Sequence, residues 1–207
     1  MGVRFLYFDL GNVLLFFDHR RAAVQLAKAA GADADTVYDF VFRGDLNARC
    51  DAGDVDAAEF CDLFRRRFPG PATNAELIRA ASDIFRVNPG MKNLLSRLEA
   101  AGLRLGLLSN TCDMHYDWFA APRRYVPIDS AFEVVVLSCR LRRLKPDPTI
   151  YLEAARLAEV APEEVFYVDD LPANVDGARQ AGFDAVRYTT PAEYARDLRR
   201  RGIRIDF

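Results

Sequence analysis

The chain has 207 residues, 51% of them hydrophobic, with 30 acidic against 28 basic side chains and a formal net charge of -2. That length can bury the core of one domain, or of one domain with a sizeable insertion. The charge balance excludes the basic surplus of a nucleic-acid binder, and no apolar run approaches the roughly 18 residues that span a membrane.

The N-terminus enters a predicted strand at once, without the basic-then-apolar pattern of a secretory signal, so a cytoplasmic protein is expected. The cysteines Cys50, Cys61, Cys112 and Cys139 are scattered, form no C-x-x-C pair and read as free thiols in a reducing compartment. Only Lys28, Lys92 and Lys145 are lysines in a chain that otherwise uses arginine. Lys145 therefore invites a specific reason.

In chain order, apolar, β-branched or aromatic runs predict strands over 4–8, 104–108, 134–137, 165–168 and 185–188. Helical patterns alternate with the later strands. One follows Asn88, with Met91, Leu94, Leu95 and Leu98 on one face and Gly102 as a stop. In KPDPTIY, Asp147 is a ready N-cap and Pro148 suits the first helical turn. DLPANVDGARQAGF and TPAEYARDLRRRGI each end at a glycine. Strand–helix alternation predicts an α/β fold, a parallel sheet with helices on both faces. Between the first two strands only helical patterns occur. The stretch 17–88 far exceeds the roughly 10–12 residues a crossover needs, and reads as an all-helical insertion over one end of the sheet. The expected division is a core of 1–16 and 89–207 with a helical domain of 17–88. Phe40, Phe42, Phe60, Phe64 and Phe68 recur at helical spacings and are expected to form its core.

The strands end on polar residues. The first ends in Asp9, the second in Ser109-Asn110-Thr111, and the fourth in Asp169-Asp170; the loop after the third reaches Lys145. Ligands of an open parallel sheet bind outside the carboxyl ends of its strands. Clustered carboxylates need a cation, and oxygen ligands with few histidines suit Mg²⁺. A serine hydroxyl, backbone N–H groups and an ammonium would hold an anion beside it. This combination describes phosphoryl transfer, with a spare carboxylate free to attack phosphorus.

The set FDLGNV, LLSNT, KPDPTIY and FYVDDLPANVDGA, in this order, resembles the haloacid dehalogenase-like (HAD) hydrolase superfamily, most closely its capped sugar-phosphatase-like branch with a D-x-G-N first motif. The resemblance implies a Rossmann-like three-layer sandwich with a five-stranded parallel central sheet and a helical cap inserted after the first strand. It implies an Mg²⁺-dependent phosphatase of small phosphorylated metabolites, a sugar phosphate being the leading guess, with an aspartyl-phosphate intermediate and neither a nucleic-acid nor a membrane partner. Carried over, Asp9 is the nucleophile, and Ser109, with Asn110 beside it, binds the phosphoryl group. Lys145 neutralises nucleophile and phosphate. Asp9, the Gly11 carbonyl and Asp170 hold the metal, Asp169 lies close to Lys145, and Asn174 orients that shell.

The family usually has a second aspartate, an acid/base, where this chain has Gly11. Three readings are open. The acid comes from elsewhere: Asp18, His19, or a water in the gap left by Gly11. Or the leaving group is good enough to need none. Or the chain is a catalytically impaired phospho-ligand-binding protein. A metal-independent haloacid dehalogenase-type reaction is a further alternative, opposed by the intact acidic pair. The run Arg140, Arg142, Arg143 reads as a solvated loop or a basic rim for an anionic substrate. Ser109-Asn110-Thr111 could also cap a helix. His115, with Asp113 and Asp117, suggests a metal site but reads better as a surface patch at a helix entry, and Arg65–Arg67 and Arg199–Arg201 read as solvated helix faces.

Overall fold

A computed structural model describes residues 2–121, 125 and 131–204. Its strands are β1 (Phe5–Phe8), β2 (Leu15–Phe17), β3 (Phe85–Val87), β4 (Leu105–Ser109), β5 (Val134–Leu137), β6 (Val165–Asp169) and β7 (Asp184–Arg187). Five of them form one parallel sheet in the order β5-β4-β1-β6-β7. These are the five predicted strands, with ends shifted by a residue.

The central strand shows why the sheet is buried on both faces. Leu6 and Phe8 join one apolar cluster with Met91, Leu94 and Leu98 of α6 (Pro89–Ala100) and Tyr194 and Leu198 of α11 (Pro191–Arg200). Phe5 and Tyr7 join another with Ile150, Tyr151 and Ala154 of α9 (Pro148–Leu157) and Val175 and Ala178 of α10 (Pro172–Gln180). Alternate side chains of a strand point to opposite faces, so a strand that is apolar throughout needs helices on both sides. This is a three-layer arrangement. Each of these helices has proline in its first turn, and Asn88, Asp147 and Thr190 cap α6, α9 and α11 with side-chain acceptors.

Between β2 and β3 run α1 (His19–Ala30), α2 (Ala34–Tyr38), α3 (Leu46–Asp51), α4 (Ala57–Arg67) and α5 (Asn74–Ser82), with a π-helical turn at Asp39–Arg43. Leu26, Val37, Val41, Phe60, Phe64 and Leu77 form their own apolar cluster, which also takes Cys112 and Met114 from the start of α7 (Asp113–Ala120). Phe68 is buried there too, while Phe40 and Phe42 are half-buried against the cluster.

Three expectations are corrected. First, the insertion does not leave the sheet through helix alone. β2 and β3 pair antiparallel, Leu15 with Val87 and Phe17 with Phe85, and form a two-stranded stem. Three-residue strands carry too little periodicity to read. Second, the four-residue α8 (Ser138–Leu141) replaces part of the loop predicted around Arg140. Third, Arg201 is not on a solvated face. It pairs with Asp184 at 2.6 Å and lies 3.9 Å over the Phe166 ring. Among the described residues, no helix is long and apolar enough to cross a membrane.

Gly106 lets β4 lie against the rings of β1. A Cβ there would sit 2.4 Å from a Tyr7 ring carbon and 2.6 Å from one of Phe5. Tyr7 cannot swing away freely, because its hydroxyl donates to the Ala154 carbonyl at 2.8 Å. Gly106→Ala is therefore expected to destabilise the fold by about 1–3 kcal/mol through overpacking, seen as a lower denaturant midpoint with an unchanged m-value.

Candidate active site

The carboxyl ends of β1, β4 and β6 meet at one point, and Lys145 reaches it from the loop before α9. The Asp9 N–H still donates to Val168 at 2.9 Å, so its side chain leaves the sheet from a fixed backbone. The Lys145 ammonium is fully buried. It donates to Asp9 Oδ1 at 2.7 Å, Asp169 Oδ2 at 2.7 Å, the Tyr167 hydroxyl at 2.9 Å and the Leu108 carbonyl at 3.0 Å. Burial alone would push its pKa down. The charges of Asp9 and Asp169 more than offset that and hold it above the usual lysine range.

The carboxylates respond differently. Burial pushes Asp9 up to about 7; Lys145 pulls it down, and the charges of Asp169 and Asp170 push it up again. Asp169 is also buried, but Lys145, the Tyr167 hydroxyl and the Leu171 N–H stabilise its anion and hold it below the usual carboxylate range. Asn174 donates to both Asp169 oxygens at 3.1 Å. Asp170 is only partly buried and is raised, mainly by desolvation, with Asp169 adding to the effect. One oxygen each of Asp9, Asp169 and Asp170 lies within 4.8 Å of the others. Among the described residues a single ammonium thus faces three carboxylates. The set is all oxygen and short of positive charge, which fits a hard divalent cation such as Mg²⁺.

Asn12 and Tyr167 join the site without having been expected there. Asn12 adopts a left-handed conformation, φ 54°, that asparagine tolerates better than most residues. It turns the chain after Gly11 and donates to Asp170 at 3.0 Å. Tyr167 had a readable signal. It stands two residues before Asp169 on one strand, hence on the same face, and hydrogen-bonds the Asp169 carboxylate.

The other expected site residues fall as follows. Ser109 ends β4, buried, and lines a cavity of about 160 Å³ with Asp9, Gly11, Lys145 and Asp170. The Asn110 side chain is engaged elsewhere: it donates to the Lys145 carbonyl at 3.0 Å and accepts the Lys145 N–H at 2.9 Å. It therefore positions the lysine. The SNT run does not cap α7, whose N-cap is Cys112. Asp18 is exposed and caps α1 by accepting from the Arg21 N–H at 3.1 Å. His19 stacks on Phe42, with ring centroids 4.4 Å apart, and burial lowers its pKa.

His115 is not at the surface. It is buried, pushed down to about 4 by desolvation, and placed near Asp51 and Cys112. Asp117 is exposed and Asp113 pairs with Arg140 at 2.8 Å. Arg142 binds the Gly53 carbonyl at 3.0 Å and Asp54 at 3.3 Å. Two of the three arginines in that run are thus matched by carboxylates, which weakens a basic rim.

Gly11 packs closely against Phe17. A Cβ at this position would lie 2.9 Å from Cε1 of Phe17, whose ring occupies the space. Phe17 is fixed in the β2–β3 stem opposite Phe85 and tilts against His19 at 4.9 Å.

Residues 6–182 match the model of a hydrolase family, the haloacid dehalogenase-like hydrolases. The chain belongs to this family. It is 26% identical over 204 residues to the D-ribitol-5-phosphate phosphatase of Bacteroides thetaiotaomicron, covering 95% of this chain and 97% of that one. It is 32% identical over 108 residues to protein CbbY of Rhodobacter capsulatus, but there the match covers 52% of this chain and spans about half, 47%, of the relative's length. The crystal structure of a HAD family enzyme from Bacteroides thetaiotaomicron, in complex with magnesium and inorganic phosphate, superposes with a TM-score of 0.76 at 25% identity. That superposition covers 91% of this chain and 95% of that one. The chain is accordingly a HAD-like hydrolase whose relatives are named as phosphatases of phosphorylated metabolites.

The Phe17 ring makes a reintroduced acid at position 11 costly. Gly11→Asp is expected to lose about 1–3 kcal/mol of stability, and Phe17→Ala in the same chain to recover part of that loss; a denaturant series on the single and double variants reads it.

Proposed function

We propose that this HAD-like hydrolase is an Mg²⁺-dependent phosphatase of small phosphorylated metabolites, a sugar phosphate being the leading substrate class, working through an aspartyl-phosphate on Asp9. The observation that carries this reading is the Lys145 ammonium, which bridges Asp9 and Asp169 beside Asp170 at the strand ends. The relatives named as phosphatases support it.

Asp9 and Asp170, with the Gly11 carbonyl, would hold the ion. Bound there, Mg²⁺ supplies positive charge against the oxygens of the transferring group. Asp9 Oδ attacks phosphorus in line, its lone pair directed by a backbone fixed in the sheet. Lys145 offsets charge on Asp9 and on the phosphoryl oxygens, and the Ser109 hydroxyl donates to one of them. Asp169 holds Lys145 in place, Asn174 and Tyr167 hold Asp169, and Asn110 holds the lysine main chain. Residues 17–88 act as a cap over a core of 1–16 and 89–207, excluding bulk water and contacting the rest of the substrate. Four buried free thiols fit a reducing cytoplasm.

Turnover of p-nitrophenyl phosphate is expected with Mg²⁺ and not after chelation. Asp9→Asn should lower kcat by about 10³-fold or more, as removal of a nucleophile does. Turnover that survives this substitution at the wild-type rate would refute the mechanism.

A further inference from the structure

With Gly11 in the place of the usual acid, the proton needed by the leaving oxygen has no source among the residues so far assigned. We propose that Asp51, carried by α3 of the helical insertion, is the general acid and base of the reaction, protonating the leaving oxygen and then taking a proton from the water that clears Asp9. The proposal rests on the phosphatase reading above.

A second cavity, of about 100 Å³, adjoins the carboxylate cavity and shares Gly11, Phe17, Ser109 and Asn110 with it. It lies where the part of a substrate beyond its phosphoryl group would extend. Among the described residues its wall carries three titratable side chains: His19, Asp51 and His115. Both histidines are held neutral by burial, and His115 further commits a ring N–H to the Ala81 carbonyl. Burial, which outweighs the Ala81 hydrogen bond that favours the charged His115, leaves neither histidine with a proton to give. Asp51 is the remaining candidate on that wall.

Its position is fixed from the core. The Ser138 hydroxyl donates to the Asp51 carbonyl at 2.6 Å, and Arg142 holds the Gly53 carbonyl. The two backbones touch closely enough that a Cβ on Gly53 would lie 2.2 Å from the Cys139 carbonyl oxygen. Asn47 donates to Asp51 Oδ2 at 3.0 Å and orients the carboxyl. The surroundings favour a neutral acid. Burial pushes Asp51 up to about 7, outweighing the Asn47 hydrogen bond. Facing it are Cys50, Cys112 and Cys139, whose thiols burial pushes up and keeps uncharged, and the neutral His115. A carboxyl poised near neutrality can both give and take a proton.

The proton count closes. As an Asp9 oxygen bonds to phosphorus, the bond from phosphorus to the ester oxygen breaks. That oxygen keeps the electron pair and receives the Asp51 proton, so an alcohol leaves and Asp51 becomes a carboxylate. In the second step Asp51 removes a proton from water as the water oxygen bonds to phosphorus. The bond from phosphorus to Asp9 breaks, inorganic phosphate leaves, and both aspartates return to their starting forms.

The test is a series of aryl and alkyl phosphate monoesters, from p-nitrophenyl phosphate to glycerol phosphate, assayed with Mg²⁺ for wild type, Asp51→Asn and Asp51→Ala. The quantity kcat/KM covers ester binding and phosphoryl transfer to Asp9 and excludes the later hydrolysis of that intermediate. The slope of its logarithm against leaving-group pKa compares esters within one protein sample, so partial misfolding cancels. A shallow slope is expected for the wild type and a steep one for both variants, with alkyl esters falling roughly 10²- to 10⁴-fold more than p-nitrophenyl phosphate. Equal losses on every ester, or alkyl turnover that zinc restores through Cys112 and His115, would overturn the assignment. No turnover of any ester by the wild type would instead refute the phosphatase reading itself.

Discussion

The buried ammonium of Lys145 is the interaction on which the rest of the site depends. An uncompensated charge in this position would cost several kcal/mol, and removing one partner of such a pair commonly costs about 3–5 kcal/mol. The protein meets that constraint with two carboxylates at 2.7 Å, a tyrosine hydroxyl and a main-chain carbonyl. The arrangement also sorts the acids. Asp169, wrapped by hydrogen-bond donors, stays an anion and holds the lysine. Asp9 and Asp170 are left with raised pKa values and unmet charge, which makes them the pair that gains most from a cation.

The fold delivers these groups because parallel strands bring their carboxyl ends to one edge. The helical insertion then supplies what the sheet cannot. Its β2–β3 stem seats Phe17 against Gly11, so the glycine is the partner of an aromatic ring. Its third helix, docked on α8 by backbone contacts, brings Asp51 to the adjoining cavity.

Much of this was legible in the sequence, for physical reasons. Central parallel strands are apolar on both faces, so a polar residue at their end, as at Asp9 or Asp169, stands out. Lys145 stood out in a chain rich in arginine. What was hidden depends on pairing across long sequence separations. Leu15–Phe17 and Phe85–Val87 are too short to show a period before they meet. His115 reads as polar surface until the insertion and β3 bury it. Asp51, in RCDAGD, has the composition of a turn, and only its burial beside cysteines sets it apart. Asn110 lines the carboxylate cavity as its place in the motif suggests, and the grip of its amide on the Lys145 backbone shows only in the fold. Tyr167 needed only the two-residue period of its strand.

In the proposed reaction Asp9 carries the phosphoryl group during turnover. The most direct measurement is rapid acid quench of the enzyme turning over a ³²P-labelled phosphate ester with Mg²⁺, followed by peptide mapping. The account predicts a transient, hydroxylamine-labile label confined to the peptide that contains Asp9. Turnover with no label on the protein at any quench time, or with the label on another residue, would contradict it.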